Sequence, residues 1–159
     1  MLKTIGTTFF NMETKIYTDG SCRGNPGPGG WAAIILNDAG KKELSGGEKL
    51  TTNNRMELTA TIKALEYYDA SKEKQPSLKY IKIYTDSTYV RDGITIWINN
   101  WEQNNWKTSE KKNVKNVDLW KKLKDLVENK QIEWHWIKGH SNDPMNDLAD
   151  KLAKQATPK

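Results

Sequence analysis

The chain is expected to form an α/β domain in which a five-stranded mixed sheet carries helices on both faces. Three observations predict this. Apolar residues alternate with period two in some segments and recur at spacings of three and four in others. Three strand-like segments come first, and helical and strand-like segments follow in turn. Two strand-like segments end on an aspartate after the same Tyr-Thr pair. The 159 residues suit one domain, placed at 14–157, with enough chain to bury a core.

The elements follow in order. Thr14 to Asp19 (TKIYTD) alternates and predicts a strand. Gly20 to Gly30 (GSCRGNPGPGG) holds five Gly and two Pro and predicts turns throughout. Trp31 to Leu36 (WAAIIL) suits a buried strand, with Lys42 to Lys49 as its hairpin partner. Thr51 to Arg55 offers N-cap residues before a helix to about Ala70, in which Leu58, Ile62 and Leu65 share a face. Ser71 to Ser77 is a polar loop, and Tyr80 to Thr85 is a strand leading to Asp86. A short helical turn from Ser87 is expected to stop near Gly93, with Ile94 to Asn104 helical after it. Asn105 to Asn116 is basic and irregular, and Asp118 to Asn129 is an amphipathic helix. Ile132 to Ile137 alternates, and Pro144 opens a last helix to about Ala156. Trp120, Trp134 and Trp136 are assigned to the core. Residues 1 to 13 have no cap or clear period and are expected to be a dispensable leader.

Composition narrows the function. No segment approaches the roughly 20 apolar residues of a membrane span, and the N-terminal stretch has no signal-peptide pattern. The single cysteine, Cys22, excludes an internal disulfide framework and fits the reducing cytoplasm. A net charge of +5 leans weakly towards a polyanionic partner. The lysines from Lys107 to Lys124 suit such a partner or a solvated helix face equally.

Asp19 and Asp86 fall at the carboxyl ends of predicted strands, the edge where open α/β sheets bind ligands. A lone acid there is commonly a turn former. If the two strands are neighbours, however, the carboxylates converge, and like charges brought together call for a cation. A hard divalent ion with oxygen ligands, such as Mg²⁺, would neutralise them. Glu57, in the first turns of its helix, and Asp150, on the last helix, are by themselves ordinary helix acids.

The surrounding motifs are more specific. Thr18 to Cys22 (TDGSC), Gly24 to Gly30 (GNPGPGG), Thr51 to Leu58 (TTNNRMEL), Tyr84 to Ser87 (YTDS), Trp106 to Thr108 (WKT), Val117 to Trp120 (VDLW) and Trp134 to His140 (WHWIKGH) resemble bacterial type 1 ribonuclease H, in order and spacing. The resemblance implies the ribonuclease H-like fold and hydrolysis of the RNA strand of RNA–DNA hybrids, leaving 5′-phosphate and 3′-hydroxyl ends. It implies two Mg²⁺ ions about 4 Å apart, with Mn²⁺ able to substitute. Asp19 would bridge both ions, Asp150 would complete the one that activates water, and Glu57 and Asp86 would hold the one beside the leaving oxygen. His140 would move protons or clear product. Cys22, Asn25, Asn53 and Asn54 would touch the minor groove, where the 2′-hydroxyl marks RNA. Thr52, Arg55 and Asn100 would lie near DNA-strand phosphates, and Trp97 and Trp101 beside the DNA strand. A monomer with no obligate protein partner is implied.

Two departures bear on affinity. Trp101 to Trp106 contains no Lys or Arg, where many bacterial members are basic, and Glu102 is expected to face phosphates. Thr88 stands where an amide side chain is common. A relative on the same fold, such as a transposase-like or junction-cutting nuclease, and a catalytically silent hybrid-binding module are the rival readings.

Overall fold

The strands are β1 (Glu13–Cys22), β2 (Gly27–Asn37), β3 (Gly40–Thr51), β4 (Tyr80–Thr85) and β5 (Ile132–Trp136). They form one sheet in the order β3-β2-β1-β4-β5. The β1–β2 and β2–β3 pairs are antiparallel, while β1–β4 and β4–β5 are parallel, so the sheet is mixed as expected. The helices are α1 (Asn53–Ser71), α2 (Thr88–Asp92), α3 (Ile98–Gln103), α4 (Val117–Val127) and α5 (Pro144–Ala156), and a π-helical turn, Gly93–Trp97, joins α2 to α3. This computed structural model describes residues 13–71, 80–138 and 142–159. The leader over 1–12, the polar loop beyond Ser71 and the expected catalytic His140 lie outside the described residues.

Period-two alternation along β1 divides the core between the two faces. Ile16 faces α1 and α4, packing with Leu58, Ile62, Leu65, Ile81, Ile83, Trp120 and Leu123. Tyr17 faces α5, with Ile34, Ala149 and the half-buried Leu148 and Leu152. Asp143 starts α5 as its N-cap, accepting from the amides of Met145 and Asn146, with Pro144 in the first turn.

Three sequence expectations need correction. The Gly-Pro segment is mostly strand, because β1 runs to Cys22 and β2 starts at Gly27. Gly29 and Gly30 serve close packing there, and a Cβ on Gly30 would lie 2.1 Å from the carbonyl oxygen of Ala153. The short helix after Ser87 ends at Asp92 with Gly93 as its C-cap, as expected, and the chain continues into the π-helical turn because the Gly93 φ of −59° is itself helical. A Cβ at Gly93 would lie 2.0 Å from the Trp120 ring, so this glycine also makes room for an aromatic. Trp136 is 44 % exposed and belongs to no core cluster. Glu13, expected in the leader, is the first residue of β1, and its carboxylate meets Lys82 at 3.0 Å.

Candidate active site

Register decides where the acids go. β1 and β4 run in parallel with Thr18 beside Thr85, so Asp19 and Asp86 leave the last paired row side by side. Glu57 reaches them from the first turns of α1. Thr52 caps that helix, its hydroxyl oxygen accepting from the Arg55 amide at 3.2 Å. Gly20 permits the approach, since a Cβ there would come within 2.5 Å of the Glu57 backbone nitrogen.

Carboxylate oxygens of Asp19, Glu57 and Asp86 all lie within 4.8 Å of one another. Asp150, on α5, lines the same cleft close enough to raise the Asp19 pKa, and it holds Lys154 at 3.0 Å. All four acids line one open cleft of about 470 Å³, with Gly20, Ser21, Cys22, Asn53, Asn54, Ser87, Thr88 and Tyr89.

Electrostatics follows from this crowding. Burial first, then the Asp86 charge and the neighbouring Asp150, push the Asp19 carboxyl up to about 9, against a hydrogen bond from the Gly20 backbone. Glu57 is likewise raised well above the usual carboxylate range, first by burial and then by the charges of Asp19 and Asp86. The Glu57 Oε1 atom is buried without a hydrogen-bond partner. An orphaned buried oxygen beside two further carboxylates fits a hard divalent cation, whose charge would satisfy all three.

The expected substrate residues fall into two groups around this cleft. Cys22, Asn53 and Asn54 line it. The Cys22 sulfur lies 3.5 Å from the carbonyl oxygens of Gly27 and Thr51. Asn25 braces the same corner, its side-chain oxygen accepting from the Asn53 amide at 3.1 Å. Arg55 and Thr52 stand at the start of α1, where Arg55 makes a paired contact with Asp118 at 2.8 and 3.1 Å and donates to Asn116. Trp97, Asn100 and Trp101 lie further off, on the π turn and α3. Trp97 is 37 % exposed. Trp101 packs inward on Trp120, with ring centroids 5.3 Å apart.

Glu102, expected to face phosphates, is held by Lys124 of α4 at 3.1 Å. The residue that sequence reasoning missed is Trp136. Its indole Nε1–H donates to the backbone carbonyl of Asp86 at 3.2 Å. The alternation of Ile132 to Trp136 put it on the face of Trp134 but could not show that β5 is an edge strand ending beside the cleft.

No helix among the described residues is long and apolar enough to cross a membrane. The RNase H family model matches residues 11–158. A ribonuclease H of Parvibaculum lavamentivorans is 52 % identical over 141 residues, covering 89 % of each chain. One of Wolbachia pipientis wMel is 52 % identical over 144 residues, covering 91 % of this chain and 94 % of its own. Among solved structures, LC9-RNase H1, described as a type 1 RNase H with the type 2 active-site motif, matches with a TM-score of 0.78 at 30 % identity, covering 92 % of this chain and 72 % of its own. LC11-RNase H1 in complex with an RNA/DNA hybrid matches with a TM-score of 0.69 at 25 % identity, covering 91 % and 96 %. Fold, carboxylate cluster and relatives agree, and the chain belongs to the ribonuclease H family of enzymes, in the bacterial type 1 branch that its motifs resemble.

Proposed function

We propose that this chain is an endonuclease that hydrolyses the RNA strand of RNA–DNA hybrids by a two-metal-ion mechanism, leaving 5′-phosphate and 3′-hydroxyl ends. The observation that carries this reading is the convergence of Asp19, Glu57 and Asp86 within 4.8 Å, with Asp150 beside Asp19. These four acids would hold two Mg²⁺ ions, or Mn²⁺ in their place, with Asp19 shared between them. When bound, such ions stabilise the charge that builds on the attacking and leaving oxygens of an in-line displacement.

The protein supplies the rest by position. Gly20 lets Glu57 and Asp19 meet. Cys22, Asn25, Asn53 and Asn54 present a small, polar edge beside the acids, suited to the 2′-hydroxyl side of a minor groove. The exposed Trp97, with Asn100 and Trp101 beyond it, offers a surface on which a DNA strand can pack. Arg55 and Thr52 would meet DNA-strand phosphates at the start of α1. His140, in our reading, moves protons or clears product. The hybrid bound by LC11-RNase H1 supports this choice of substrate. We read the working unit as one domain over 14–157, acting as a cytoplasmic monomer, with the lone Cys22 consistent with a reducing compartment.

One gel tests the reading. A uniformly labelled hybrid, duplex DNA and duplex RNA are offered with Mg²⁺ and with chelator. Cleavage confined to the RNA of the hybrid in Mg²⁺ is expected, and cutting of duplex DNA or activity in chelator would overturn it.

A further inference from the structure

We infer that Trp136 is a positioning residue for Asp86, acting through the Asp86 peptide and not by touching metal or substrate. The inference rests on the proposed metal-binding role of the acid cluster.

Asp86 has a mechanical problem. Its carboxylate sits within 4.8 Å of those of Asp19 and Glu57, and any charge the three carry together works against that convergence. It lies one residue past the last strand pair, Thr85 beside Trp136, so the sheet ladder no longer holds it. The peptide around it is instead tied by separate bonds. The Ile137 amide donates to the Thr85 carbonyl at 2.9 Å. The Ser87 amide donates to the Thr85 hydroxyl oxygen at 3.0 Å. The Asp86 carbonyl accepts from the Trp136 indole at 3.2 Å.

The Trp136 ring has no core role that would explain it, being 44 % exposed. Its register partner is Thr85, so it stands on the sheet face that carries Ile83 and Trp134. Tyr17 and Tyr84, the stacked rings preceding Asp19 and Asp86 in their strands, lie on the other face. Trp136 thus reaches the Asp86 backbone from the side opposite those rings. The ring itself is braced by Arg91 of α2, whose guanidinium lies 5.6 Å from the ring centroid and is fixed by Asp92 at 2.9 Å. Edge strand, indole and α2 therefore close a bracket around the 86–87 peptide, and the direction of that peptide sets where the Asp86 carboxylate points. A side chain held this way loses less freedom when it takes up a ligand.

Two variants remove the donor and keep the ring. Trp136→Phe leaves an aromatic under Arg91. Replacement of the Trp136 indole by benzothiophene, its sulfur isostere, removes only the N–H. Mg²⁺ binding is read by calorimetry on the full chain without nucleic acid, and hybrid cleavage is read as kcat and KM. Both variants are expected to weaken Mg²⁺ binding and lower kcat about fivefold, with KM unchanged and the melting temperature in chelator within about 2 °C of wild type. Unchanged Mg²⁺ affinity in the benzothiophene protein overturns the inference. So does a rise in KM with kcat intact, which would make Trp136 a substrate contact. If the wild-type chain binds Mg²⁺ but cuts no hybrid, the proposed function fails while the calorimetric comparison still decides this one.

Discussion

Gly30 of β2 and Ala153 of α5 meet so closely that a Cβ on the glycine would lie 2.1 Å from the Ala153 carbonyl oxygen. The opposing atom is backbone, which cannot turn aside as a side chain can. This contact seats α5, and with it Asp150, on the sheet. Gly30→Ala is therefore expected to destabilise the protein by about 2–3 kcal/mol, the upper part of the range for core overpacking. Denaturant unfolding measures it, and a loss below about 0.5 kcal/mol would show that α5 shifts freely over β2.

Asp19 gives a pH signature. Its folded pKa, about 9, lies above the ordinary carboxylate value of 3.8. Below about pH 4 the carboxyl is protonated in both states and the folded form bears no penalty. As pH rises from there towards 9, the unfolded chain releases the proton before the folded one, so stability falls across that window. In chelator the melting temperature should fall between pH 5 and pH 8, and Asp19→Asn should flatten the fall. Mg²⁺ should raise the melting temperature more at pH 8 than at pH 5. An Asp19→Asn profile parallel to wild type would contradict the crowding.

The same substitution separates chemistry from binding. Asp19 lies beside Glu57, Asp86 and Asp150 together, so its loss disturbs every metal position the cluster offers. Asp19→Asn should lower kcat on a hybrid by at least about 100-fold while changing the hybrid Kd less than about threefold. Retention of a tenth of the wild-type rate in Mg²⁺ would count against the site.

Glu102 changes the expectation for the segment without basic residues. Its carboxylate is engaged by Lys124 at 3.1 Å, so its charge is met within the protein. Lys124 also meets Glu128 at 3.6 Å, so Glu102→Gln combined with Glu128→Gln should release Lys124 for a phosphate and steepen the log–log salt dependence of hybrid binding by about 0.9. The fold should barely notice, because the glutamate side of the pair is half exposed and such pairs contribute about 0–1 kcal/mol. Filter binding across a salt series decides it, and an identical slope places Lys124 away from the substrate.

How much could be read from residues alone varied with the kind of signal. Periodicity and caps are local, so α1, α5 and β4 came out within a residue or two: Thr52 caps one helix, Asp143 and Pro144 start another, and TKIYTD and YIKIYT alternate as strands do. The repeated Tyr-Thr-Asp marked two acids, and motif order brought in Glu57 and Asp150. What local pattern could not carry was the purpose of a glycine or a tryptophan. Gly30 and Gly93 look like turn and stop signals in the sequence, yet each makes room for something distant in the chain, a helix carbonyl in one case and the Trp120 ring in the other.

The sequence by itself therefore determined the elements and the identity of the acids, because both rest on spacing along one chain. Only the tertiary structure decided that Thr18 and Thr85 share a row, which sets Asp19 against Asp86. It also decided that β5 is an edge, leaving Trp136 half exposed with its indole on the Asp86 carbonyl. Register and edge position arise from pairing between residues 67 apart in the chain for β1–β4 and 51 apart for β4–β5, and no window along the chain contains them.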